Sequence, residues 1–163
     1  PADPKLQTTI FNGFELRAAV APYTGGGYMH TTDDRTPVTF ITRYYLDKIK
    51  RLCDAHGTKL LFVTAPSPVN HTMQRHNEVQ ALADALAVPY LDLNLNTEEL
   101  GIDWNLDTLD GGDHLNYTGC QKATAYLQWY MQTHYTLPDR RDDVRYEAWN
   151  KQAEEFEKLL PQP

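Results

Sequence analysis

Between Gly57 and the stop Pro66-Ser67-Pro68 runs Lys59-Leu-Leu-Phe-Val-Thr-Ala65, a compact apolar stretch with no polar alternation. A strand with one wet face alternates apolar and polar residues, so an unbroken run suits a strand covered on both faces. On either side the period changes to that of a helix. From Thr39, the residues Ile41, Tyr45, Leu46, Ile49, Leu52 and Cys53 form one apolar stripe, with Asp47, Lys48, Lys50 and Arg51 turned away. Gly57 closes this helix after His56. A second helix is expected over Met73–Ala87, with Val79, Leu82, Ala83 and Leu86 inward. Val88-Pro-Tyr-Leu-Asp-Leu-Asn94 reads as the next strand, since proline is tolerated at a strand's start.

Helix, strand, helix and strand on short connections predict parallel pairing with right-handed crossovers. The expected fold class is therefore α/β, a three-layer, mostly parallel sheet flanked by helices, flavodoxin-like. Only two such strands are legible, and an open parallel sheet ordinarily has more. The sheet is thus expected to be incomplete in this chain, with an exposed edge that invites self-association.

Upstream, Thr8–Leu16 reads as a strand pair, or as one strand broken at Asn12-Gly13, followed by a glycine-rich excursion over Ala21–Asp34. Downstream, a long acidic and aromatic loop, 96–114, leads into a helix over Thr118–His134. Cys120, Ala123, Leu127, Tyr130 and Met131 form its inner side, and Asn116 or Thr118 can cap it. A last helix over Val144–Leu160 carries Tyr146, Trp149, Ala153, Phe156 and Leu160, a stripe expected to dock, and Pro161-Gln-Pro163 ends it. The expected organisation is an N-terminal hairpin and loop (1–35), an α/β core (36–137) and a docking helix (138–163). No internal repeat is present.

An apolar content of 41% with 11% aromatics argues for a folded domain, and no stretch reaches the length of a membrane span. A formal charge of −7 with scattered Lys and Arg excludes the basic footprint that nucleic-acid binding needs. Cys53 and Cys120 lack metal spacing and read as buried free thiols. The loop Ala21–Asp34 lacks the Gly-Lys-Ser/Thr ending of a phosphate loop, and no cofactor is expected.

In an open α/β sheet, ligands gather beyond the carboxyl ends of the strands. Pro66–Asn70, Asn94–Asn96 and the loop ending in Asp113-His114 would meet there. His114 is the leading candidate, because it follows two glycines and precedes a helix, unlike a histidine on an apolar core face. A carboxylate that fixes its tautomer would make it a general base. Asp113 is adjacent, and adjacent side chains in extended backbone point apart. Asp110 lies four residues back, but Gly111-Gly112 frees the loop to fold it toward the ring. Asp110 is therefore favoured, with Asp113 open as the alternative. An ordinary hydrogen-bonding histidine is the rival reading. Ser67, Asn70 and Asn116 are weaker candidates for substrate or oxyanion contacts. His30, His56, His71, His76 and His134 share no tight spacing. His71 and His76, five apart, do not lie on one helix face, so no metal site is expected. Tyr23, Tyr28 and Trp104 could line a carbohydrate groove or simply pack together.

Gly111-Gly-Asp-His-Leu-Asn-Tyr-Thr-Gly119, with the helix after it, resembles the last block of the SGNH (GDSL-like) hydrolase superfamily. The surrounding order is similar to bacterial surface-associated members, and distantly to alginate O-acetyltransferases and D-alanine transfer proteins. The resemblance implies an acyl ester hydrolase or O-acyltransferase acting on acylated cell-surface carbohydrate, in an extracellular or cell-envelope location. His114 takes the place of that family's base. The family's acid stands three residues before it, where this chain has Gly111. Its nucleophile has no match either, since the chain's single serine, Ser67, sits between two prolines. The second expectation is accordingly a non-catalytic SGNH-like binding or scaffold module.

Overall fold

A computed structural model of the chain describes residues 14–160, which divide into two compact units. The first is Ala19–Ala123; the second joins the segment up to Ala18 to the chain from Thr124 onward. Thr8–Gly13 and Pro161–Pro163, on which the expected N-terminal strands and the C-terminal stop depend, lie outside the described residues; 14–16 have no regular structure.

The first unit opens with an irregular segment and then α1 (Phe40–Ala55), whose N-cap Thr39 accepts a hydrogen bond from the Thr42 N–H. β1 (Phe62–Thr64) follows, then α2 (Met73–Leu86), capped by the Thr72 hydroxyl and closed by Ala87 at a left-handed φ of 51°. β2 (Tyr90–Asp92) pairs with β1 in parallel, Phe62 against Tyr90 and Thr64 against Asp92, and passes directly into a 3-10 turn over Leu93–Leu95. Leu82, Ala83, Val88, Leu91, Leu93 and Leu100 make the buried apolar core. An ion pair from Arg43 to the buried Glu78 ties α1 to α2.

The three-layer, mostly parallel sheet is not what forms. Helix is the main regular structure of the described residues, and their sheet has two strands of three residues each. The apolar run Lys59–Ala65 is long enough for more, but only Phe62–Thr64 meets a partner strand. Helical period shows which residues share a face and leaves open what covers that face. The α1 stripe illustrates this: no residue of α1 is buried, and Ile41, Tyr45 and Leu52 are 65%, 58% and 62% exposed.

α3 (Tyr117–His134) starts in the first unit and runs into the second. In the second unit a 3-10 turn, Val144–Tyr146, precedes α4 (Glu147–Glu157), and Phe156 meets Phe14 edge to face at 5.2 Å. Trp149, expected on a docking stripe, is instead exposed. Among the described residues no helix is long and apolar enough to cross a membrane.

Candidate functional site

The loop from Thr108 to Leu115 is closed by a lone antiparallel bridge between those two residues. Inside it the Leu109 N–H donates to the His114 carbonyl at 2.9 Å, and the buried Thr108 hydroxyl accepts from the Gly112 N–H at 2.7 Å. Gly111 and Gly112 stand at φ of 76° and 99°, a region closed to most side chains, and this curls the chain back on itself. A side chain at Gly112 would also strike Pro68 and Tyr23.

The curl brings Asp110 under His114. Asp110 Oδ2 lies 2.7 Å from His114 Nδ1, and its Oδ1 accepts the His114 backbone N–H at 2.8 Å. One carboxylate thus holds both the ring and the backbone of the same residue. Asp113 stands farther off, at 3.7 Å from Nδ1. Its carboxylate accepts from the Asn70 side-chain amide. The hydrogen bond to Asp110, and next the nearby Asp113 charge, raise the His114 pKa above its ordinary value; the bonds from His114 lower that of Asp110. Replacing Asp110 with Asn is therefore expected to lower the His114 pKa more than Asp113→Asn does. Proton titration of the His114 ring by NMR in both variants checks this, and an equal or larger drop in Asp113→Asn would contradict it.

Ser67 and Asn116 have structural partners. The Ser67 hydroxyl donates to the Asp113 carbonyl at 2.8 Å and so pins the end of β1 to the His114 loop. The Asn116 side chain is buried; its Oδ1 accepts from the Gly119 N–H at 3.2 Å and so caps α3, and its amide donates to the Leu106 carbonyl at 2.7 Å. The glycine-rich segment is anchored as well. Tyr23 N–H donates to the Trp104 carbonyl at 2.9 Å, and the rings of Tyr23 and Tyr28 lie edge-on to Trp104 at 6.1 and 6.0 Å. With Gly25–Gly27 and Asn94 these rings line an open hollow of about 500 Å³.

A second cluster was not expected. His71 Nε2 and His76 Nδ1 both lie 2.8 Å from the same oxygen of Asp92. The other oxygen of Asp92 accepts the Asn94 backbone and side-chain N–H groups at 3.0 and 2.8 Å. Burial alone would raise the Asp92 pKa, but the bonds from His71 and Asn94 outweigh it and hold the carboxyl well below the ordinary range. Asn94, itself buried, also accepts from the Ser67 N–H at 2.9 Å and the Tyr28 hydroxyl at 3.1 Å. The signal for this cluster lay at the ends of the strands: Asp92 closes β2, and His71 directly precedes the Thr72 cap of α2.

No family model, curated protein or solved structure matches the chain. Together with one two-stranded sheet among the described residues, this overturns the resemblance to the SGNH superfamily, whose fold is rich in sheet. The acyl ester hydrolase or O-acyltransferase reading, and the SGNH-like binding module offered beside it, fall with that resemblance. The short Asp-His-Leu-Asn block carried most of the likeness, and here the curl of its loop accounts for the pattern locally.

Proposed function

We propose that Asp110 and His114 form a proton-transfer centre, with His114 Nε2 as the general base and Asp110 as its orienting partner. The carrying observation is the 2.7 Å contact at Nδ1 on a ring whose side chain is 66% exposed. With Nδ1–H donated to Asp110, the neutral ring presents an unprotonated Nε2 to whatever approaches from solvent. Asp110 and Asp113 flank the ring with negative charge, which favours a neutral or cationic substrate over an anion.

The base form of His114 is the neutral ring, and its pKa lies above the ordinary 6.5. Turnover should accordingly rise with pH through a point above that value. A suitable probe is 5-nitrobenzisoxazole, which opens when a base removes its ring C–H proton and needs no nucleophile. His114→Ala is expected to lower the protein-dependent rate by about a hundredfold, the ordinary scale of a positioned base. Asp110→Asn should move the pH midpoint downward. Equal rates in wild type and His114→Ala would refute the assignment.

A further inference from the structure

We propose that His71, His76 and Asp92 form a binding site for a divalent transition-metal ion, best matched by Zn²⁺. This inference stands independently of the Asp110–His114 reading. Two imidazole nitrogens and a carboxylate oxygen converge within 4.8 Å of one another, and both nitrogens already lie 2.8 Å from one oxygen. Bonds from zinc to nitrogen and carboxylate oxygen are about 2.0–2.2 Å long, so ligand atoms around a tetrahedral ion stand roughly 3.3–3.5 Å apart. The two nitrogen–oxygen distances, 2.8 Å each, would have to open by roughly half an ångström to admit the ion.

The three donors come from places that hold them firmly. Asp92 ends β2, His71 precedes the cap of α2, and His76 lies in the first turn of that helix. The Asp92 side chain is 1% exposed, and those of His71 and His76 are 7% and 15% exposed. Asn94 grips the second carboxylate oxygen, the outer contact that orients a carboxylate ligand, while the Tyr90 ring stacks on His76 at 5.5 Å. His71 also borders an open hollow of about 400 Å³, shared with Thr64, Asn70 and Arg75, which gives an ion a way in. Three protein ligands leave a fourth position for water or a substrate atom. A ligating imidazole nitrogen carries no proton, so each bound ring holds its proton on the other nitrogen, and the displaced proton passes to solvent.

The test is titration of the metal-stripped full chain with Zn²⁺ by calorimetry, with Co²⁺ absorption reporting the ligand geometry. Wild type and His114→Ala should each take up one ion with similar affinity, whereas His76→Ala should bind weaker by about a hundredfold. The His114→Ala arm takes the one imidazole from the other group, Asp110, Asp113 and His114, whose donor atoms also gather within 4.8 Å. Should His76→Ala lose its fold, the ring signals of wild type decide by NMR. Zn²⁺ must then shift His71 and His76. No uptake by wild type, or binding lost with His114→Ala and kept with His76→Ala, or shifts confined to His114, overturns the proposal.

Discussion

Asp107→Ala is expected to destabilise the unit Ala19–Ala123 by about 3 kcal/mol, the scale of breaking a buried, hydrogen-bonded charge pair. The Asp107 carboxylate is buried and accepts from the Asp103 N–H and the Thr118 hydroxyl at 2.8 Å each, and from Lys122 Nζ at 2.5 Å. Alanine leaves the first two donors without their acceptor. Lys122, whose side chain is 38% exposed, can turn to water and recovers part of its loss. Burial pushes the Asp107 pKa up, but the bonds from Lys122, Asp103 and Thr118 outweigh it and the net shift is downward. A carboxyl depressed in the folded state stabilises fully above its unfolded value, near 3.8, and loses that contribution as pH falls through the folded value. Urea unfolding followed by Trp104 fluorescence should show the wild-type advantage at neutral pH and its shrinkage in acid. A variant as stable as wild type at neutral pH would show that the carboxylate network is not what holds this loop.

Gly119→Ala should destabilise by about 2 kcal/mol, against the usual direction for a helix, where alanine gains about 1 kcal/mol over glycine. Gly119 sits in the first turn of α3 and is buried. A Cβ there would press into the Asp107 backbone oxygen and stand 3.1 Å from both the Asp107 and Leu115 Cβ atoms. Rigid backbone lies on the far side of the clash, so the helix start and the His114 loop must part. The same denaturation experiment reads the stability loss. The His114 titration should shift too, because Leu115 is next to it in the chain. A gain in stability would mean that the loop yields freely.

Helices were legible from their 3.6-residue period. The period over Met73–Leu86, and Asn116 before Tyr117–His134, are local patterns, written within a few residues of where they act. The curl at Gly111-Gly112 was legible for the same reason, since glycines in tandem permit the positive φ that carries Asp110 back to His114. The sheet was not. Strand pairing is a relation between distant segments, and a run such as Lys59–Ala65 says nothing of how many neighbours it will find. The cluster of His71, His76 and Asp92 escaped for a related reason. His71 and His76 were judged by helical phase, but His71 precedes the Thr72 cap, where that phase does not apply. Asp92, which draws them together, is 21 residues from His71 in sequence.

Asn94 gives the first unit an accounting property of its own. One amide receives Tyr28 and Ser67 and donates to Asp92 and the Ala65 carbonyl, so the aromatic hollow, the tether of the His114 loop and the histidine trio share one junction. Substitutions in contact with a common partner do not have additive free energies. Tyr28, Ser67 and Asp92 are therefore not three separate positions for an engineer or for natural variation. A change that relaxes Asn94 at one of them alters what the other two can tolerate, and these residues are best varied as a set.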